Sequence, residues 1–183
     1  MKCRMMMLCL TSLVFLGGCD KSKQDPNVMF SEQHQDPIQA LEKRSKKVDH
    51  SRFRYKQTFY VPIYSDIYTD RDNLQVLLSA TLSVRNTTFK NSLYINKIDY
   101  YSTNGKLVKS YLTAPIELPA MATLNYIVEK EEDKGGSGAK FIIEVEGVDS
   151  SVKPVIEAVM IGNFSNKAFA FSTQGTPILD ESH

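Results

Sequence analysis

Between Leu74 and Arg85 the apolar residues Leu74, Val76, Leu78, Ala80, Leu82 and Val84 take every second position, and Gln75, Ser79, Thr81, Ser83 and Arg85 take the alternate ones. Successive side chains of an extended chain point to opposite faces, so this period of two predicts a strand buried on one side. The same alternation runs through Leu124, Tyr126 and Val128, through Phe141, Ile143 and Val145, and through Val155, Val159 and Ile161. Two further runs, Ile95 to Tyr101 and Lys106 to Leu112, flank Asn104-Gly105. That dipeptide readily takes the positive φ values of a two-residue hairpin turn. Pro115 and Pro119 bracket an edge-like segment, and Pro154 suits the start of a strand, because proline donates nothing to a ladder. No long helical period competes. The pattern predicts an all-β fold, an immunoglobulin-like antiparallel β-sandwich of about seven to eight strands, with a small closed β-barrel as the alternative.

Ahead of Thr58 the pattern is different. Lys2 and Arg4 precede an apolar run from Met5 to Leu16, followed by Leu16-Gly17-Gly18-Cys19 and the polar Asp20 and Lys21. The run is too short to span about 30 Å of hydrocarbon comfortably as a permanent helix. A positive start, a short apolar stretch and small residues before a cleavage point read as a signal peptide. Leu16-Gly17-Gly18-Cys19 resembles the lipobox of bacterial lipoproteins. That resemblance implies diacylglyceryl transfer to the Cys19 thiol and cleavage between Gly18 and Cys19. Several acyl chains anchor durably where one binds only marginally. Asp20, directly after the lipidated cysteine, resembles an inner-membrane retention signal. The expected location is therefore the bacterial cell envelope, on the inner membrane facing the periplasm, with the outer membrane second.

From Asp20 to about Lys56 the chain is polar, with Asp-Pro at 25 and 26 and again at 36 and 37, and reads as a tether. Asp36 and Pro37 suit the start of a short helix through Ile38 and Leu41. The basic group Lys43, Arg44, Lys46 and Lys47 is interrupted by Glu42 and Asp49 and reads as solvated tether more than as a lipid-binding patch. The expected organisation is a signal peptide over 1–18, lipidated cysteine and tether over 19–57, sandwich over 58–178 and a polar tail over 179–183.

Removing eighteen of the 183 residues takes away Cys3 and Cys9, so Cys19 is the one cysteine of the mature chain. No internal disulfide is then available, and stability has to come from a hydrophobic core. A domain of well over 100 residues can bury one. The mature chain keeps 20 of the 22 basic residues against 21 acidic ones, a balance that argues against a nucleic-acid partner.

Candidate chemistry is sparse. If strands alternate in direction, the turns at 68–73, 102–105, 131–138 and 163–167 gather at one end of the sandwich, and loops are where function usually sits. That end would hold Asp70, Arg71, Asp72, Glu131, Glu132 and Asp133 with the turn Gly135-Gly136-Ser137-Gly138. Carboxylates on adjacent loops suit calcium, but the spacing matches no known calcium loop, so no metal is assigned. A phosphate loop needs a lysine and a following helix, whereas Ala139, Lys140 and Phe141 lead into a strand, so the glycines read as a flexible hairpin. Histidine occurs only at 34, 50 and 183, outside the strands, and no carboxylate pair or serine has an evident partner; no catalytic residue and no cofactor is expected. Tyrosines are numerous and no tryptophan occurs. Most suit strands, and Tyr64, Tyr68 and Tyr101 are candidates for an exposed binding patch.

The segment from Tyr60 to Ile178 resembles the bacterial domain-of-unknown-function family numbered 3124. The residues that carry the likeness are Tyr60 to Tyr68, Ala80 to Asn86, Asp99 to Tyr101, Gly105 to Val108, Gly135 to Ala139 and Glu157 to Gly162. The resemblance implies an exported, often lipid-anchored protein and carries no catalytic residue across. The chain departs from the family's pattern in Lys140 and in lacking tryptophan near the glycine-rich turn. The resulting expectation is a non-enzymatic envelope lipoprotein, held to the membrane through the lipid on Cys19, that binds another periplasmic protein. The alternatives are a small-ligand or calcium-binding domain and an unrecognised hydrolase.

Overall fold

The structure is a computed structural model that describes residues 50–68, 75–128, 135–150 and 152–178. The chain divides into two units, 1–34 and 35–183, and every described residue belongs to the second. The expected signal peptide, the expected tether as far as residue 49 with its short helix, and the polar tail lie outside the described residues.

A 3-10 turn at His50–Arg52 leads into eleven strands: β1 Tyr55–Pro62, β2 Asp66–Tyr68, β3 Gln75–Arg85, β4 Leu93–Tyr101, β5 Leu107–Ser110, β6 Ile116–Leu118, β7 Thr123–Val128, β8 Lys140–Gly147, β9 Val155–Phe164, β10 Lys167–Gln174 and β11 Thr176–Ile178. They form two antiparallel sheets. One runs β11-β1-β8-β4-β5, with β6 beside β5 on the free edge of β4; the other runs β10-β9-β3-β2, with β7 on β3 opposite β9. Both sheets end in edge strands, so this is the expected sandwich and not the closed barrel.

The core lies between the layers. From the first sheet come Val61, Ile95, Ile98, Phe141, Ile143 and Val145, and from the second Leu78, Leu82, Val84, Leu124, Ala158 and Met160, all buried. Their burial provides the main stabilisation, each large side chain being worth about 1.5–3 kcal/mol against exposure. Alternation is visible residue by residue in β8 and β9, but in β9 the buried positions are Ile156, Ala158 and Met160, so the expected apolar set Val155, Val159 and Ile161 lies on the outer face instead of in the core.

Three local expectations need correction. Among the described residues the strand count is eleven and exceeds the expectation because β2, β5, β6 and β11 have only three or four residues, too few to show a period of two. The first strand opens at Tyr55 rather than Thr58, since Tyr55, Lys56 and Gln57 pair with Gly147, Glu146 and Val145 despite their polar character. The Asn104-Gly105 hairpin exists, but its loop has three residues. Gly105 N–H donates to the Ser102 carbonyl and Ser102 N–H to the Lys106 carbonyl, both at 2.9 Å, and Gly105 alone has positive φ, +74°. This is a turn followed by a left-handed glycine bulge, and a separate register break between Tyr100 and Tyr101 leaves Val108 as an extra residue on β5. The true two-residue turn is Ser165-Asn166 (φ +47° and +62°), joining Phe164 to Lys167 between β9 and β10. Asparagine suits a left-handed position because its short side chain tolerates it.

Candidate functional site

The inferred meeting of loops at one end of the sandwich exists in part. Thr103, from the β4–β5 turn, donates from its N–H (2.8 Å) and its Oγ1 (3.0 Å) to the Gly135 carbonyl, and Gly138 N–H donates back to Thr103 Oγ1 at 2.8 Å. Ser65 N–H donates to the Gly136 carbonyl at 3.2 Å. Beneath them the Ser65 and Tyr100 hydroxyls are buried and 2.8 Å apart. Ile67 of β2 lines a shallow cavity with Phe164, Ser165, Lys167 and Phe169, which brings the β9–β10 turn to the same end.

The glycine-rich turn is therefore docked onto its neighbours, which corrects the reading of it as a flexible hairpin. A Cβ added to Gly135 would meet Tyr100 Oη at 1.8 Å and Ser65 Oγ at 2.4 Å, while Gly136 has φ +76° and faces Thr103 Oγ1. The glycines are needed for close approach and backbone shape. The carbonyls of Gly135 and Gly136 and the N–H of Gly138 are thus all bonded to protein. Ser137 is half-buried in the same turn. Asp70, Arg71, Asp72, Glu131, Glu132 and Asp133 lie outside the described residues, as do Gly18, Cys19 and Asp20. Among the described residues no group of three or more His, Cys, Asp or Glu is placed to hold a metal ion, and no helix is long and apolar enough to cross a membrane.

The three candidate tyrosines are not joined by any ring contact. Tyr64 packs edge-on against Phe171, with centroids 5.7 Å apart, and belongs to the flank of the core. Tyr68 is 54% exposed at the end of β2, and Tyr101 sits half-buried on β4 opposite Lys140 and Leu107. Burial raises the Tyr55 phenol above its ordinary range. Tyr94 is raised by burial first and then by the Glu117 carboxylate beside it.

The more prominent surface was not anticipated. On the outer face of the β10-β9-β3 sheet, Ile161 lies opposite Ser79 and Ala170, and Val159 lies opposite Thr81 and Ser172; Ile127 of β7 lies on the other side of Thr81. Leu77 and Ile161 are exposed and Ile127 is 52% exposed. None of these positions is charged. The face ends in the ion pair of Arg85 with Glu157, 2.7 Å apart.

Among the described residues this sheet stops at β10, eight residues paired on one side only. Phe164 and Lys167 close a two-residue loop, so the backbone groups of Lys167, Phe169, Phe171 and Thr173 turn toward β9, and those of Ala168, Ala170, Ser172 and Gln174 turn outward. From Ala168 to Gln174 the edge carries no charge and no proline, the usual devices that blunt a strand edge. Phe169 and Phe171 stack on its inner side with centroids 6.5 Å apart and stay half-exposed. The uncharged run in Ala168-Phe-Ala-Phe-Ser-Thr-Gln174 was visible beforehand. Its place at the sheet edge was not, because edge status depends on which strands pair.

A comparison with curated proteins finds no match. Among solved structures the chain is similar to a Thermotoga maritima protein, 1070, at 16% identity and TM-score 0.37, over 66% of this chain and 92% of that one. The family profile described as "Protein of unknown function (DUF3124)" matches residues 56–178, nearly all of the sandwich, and the chain belongs to that family.

Proposed function

We propose that the protein is a lipid-anchored, non-enzymatic component of the bacterial cell envelope whose sandwich binds another protein by adding an extended segment of it to β10. The observation that carries the binding mode is the open β10 edge, uncharged from Ala168 to Gln174 and continuous with an uncharged outer face. Main-chain hydrogen bonds from Ala168, Ala170 and Ser172 would supply affinity, and the half-exposed Phe169 and Phe171 would supply side-chain selectivity. The anchor rests on Leu16-Gly17-Gly18-Cys19 after the apolar run, and Asp20 favours the inner membrane facing the periplasm. The non-enzymatic reading rests on the internal docking of the loop cluster.

A photo-crosslinking residue at position 170, used in intact cells and read by mass spectrometry, tests this reading. A reproducible envelope protein that is captured from β10, and lost when Ala170→Lys is introduced next to a crosslinker at position 172, is the expected result. Capture that is unchanged by Ala170→Lys, or no capture at all, would remove strand addition.

A further inference from the structure

At the opposite end of the sandwich from the glycine-rich turn, three loops are tied into one rigid tip. Asn86 is buried, and its Nδ2 donates to the carbonyls of Asn91, Leu118 and Pro119 at 2.9–3.0 Å. Its Oδ1 accepts from the Thr88 N–H and hydroxyl at 3.0 and 2.9 Å. Met121 N–H donates to the Thr88 carbonyl at 3.1 Å, and Thr87 Oγ1 donates to the Lys153 carbonyl at 2.7 Å, bringing in the Pro119–Ala122 turn and the approach to β9.

What this bracing holds outward is apolar. Phe89 is 83% exposed, and Met121, at φ +60°, is 59% exposed. Four exposed cations lie at this same end of the sandwich. Lys90 and Lys153 line one cavity with Phe89 and Asp149, and Arg52 and Arg54 line the next one with Ser51 and Val148. Of the acidic groups here, Asp149 shares the first cavity, and Glu117 accepts a hydrogen bond from the Ser92 hydroxyl at 2.6 Å. The polypeptide arriving from Cys19 joins the domain at this same end, through His50–Arg52.

We propose that the Phe89 and Met121 tip docks into the interface of a bilayer bearing anionic headgroups. An aromatic ring held in water by a well-bonded loop gains by entering the interface, where its apolar body leaves water. Lys90 and Lys153 beside Phe89, with Arg52 and Arg54 at the same end, would face the headgroup phosphates, an attraction that fades within a Debye length. Both features sit where the tether enters, so an anchored domain would meet the membrane tip-first. The inference rests on the anchored reading only for that orientation.

The chain has no tryptophan, so Phe89→Trp creates a single fluorescent reporter at the tip, and Asn104→Trp creates one at the other end. The full lipidated protein is reconstituted into vesicles of phosphatidylcholine alone or mixed with phosphatidylglycerol. Blue-shifted emission and quenching by brominated acyl chains are expected for position 89 in the phosphatidylglycerol vesicles only, and lost with Lys90→Glu and Lys153→Glu. Position 104 should keep the emission of a water-exposed indole throughout. Water-like emission at position 89 from a lipidated, vesicle-bound protein overturns tip docking and leaves the anchor standing. A chain that carries no lipid and floats with neither vesicle overturns both. A blue shift that needs an added periplasmic protein instead of lipid assigns the tip to a protein and overturns the proposal.

Discussion

Gly135 shows how a single missing carbon organises the loop end. Alanine there places a methyl against Tyr100 Oη and Ser65 Oγ, both held in a buried pair, so Gly135→Ala should destabilise by about 1–3 kcal/mol. Tyr100→Phe leaves the buried Ser65 hydroxyl short of a partner and should itself lose about 1–2 kcal/mol. It also removes the nearest clashing atom, so chemical denaturation of the double variant should show less than the sum of the two losses; strict additivity would contradict the packing account. Asn86→Ala should lose about 2 kcal/mol or more, since several backbone groups at the tip lose their partner together.

Titration at single residues sets an alkaline limit. The Tyr55 and Tyr94 phenols are raised above 10.0 chiefly by burial, and Lys97 is raised above 10.5 chiefly by its hydrogen bond to Glu144. A raised value means that the folded state holds the proton more tightly. The associated stability is complete below the unfolded values and is lost as pH climbs through the folded ones. Melting temperature should therefore fall from about pH 10 upward, in step with tyrosinate absorbance. Lys97→Met should flatten only the upper part of that fall. A melting temperature unchanged between pH 9 and 11.5 would contradict it.

The strand is the scale at which β10 becomes informative. Its backbone alternates between groups bound to β9 and groups facing out, so two adjacent proline substitutions should behave differently. Ala170→Pro removes an outward N–H and should change stability by no more than about 1 kcal/mol, as proline is tolerated on an edge. Phe171→Pro removes a ladder bond and a stacked ring together and should lose about 3 kcal/mol or more. Similar melting curves for the two would mean that β10 is not paired as described. β3 and β8 were legible from alternation, because each has one face in the core and one outside; β9 carries apolar residues on both faces, so its existence was legible but the alternation through Val155, Val159 and Ile161 picked the outer face. β5, β6 and β11 are defined by partners such as Asp99, Ile95 and Thr58, which lie far away in sequence.

For the whole molecule, the two ends and the outer sheet face form a division of labour that rests on the proposals above: tip toward the membrane, β10 toward a protein. Cys19→Ala tests the anchor directly. The wild-type protein should incorporate an alkyne-tagged fatty acid in growing cells and the variant should not; equal labelling of both would remove the lipid on Cys19 from the account. Of the candidate site, the glycine-rich turn and the gathering of turns were readable from the sequence. The buried Ser65 and Tyr100 pair was not, because their separation of 35 positions closes only when β2 and β4 reach the same end of the sandwich.

By itself the sequence determined the class of fold and the approximate position of several long strands, and it carries the four-residue motif at Cys19, since each depends on neighbours along the chain: side-chain alternation, proline's missing donor, a short run of adjacent residues. The tertiary structure decided which strand was left at an edge, which glycines had to be glycine, and that the exposed Phe89 and Met121 come to the same end of the sandwich as four cations. Those properties arise from non-local pairing. Hydrogen bonding and packing between segments dozens of residues apart set them, and no window along the chain contains both partners.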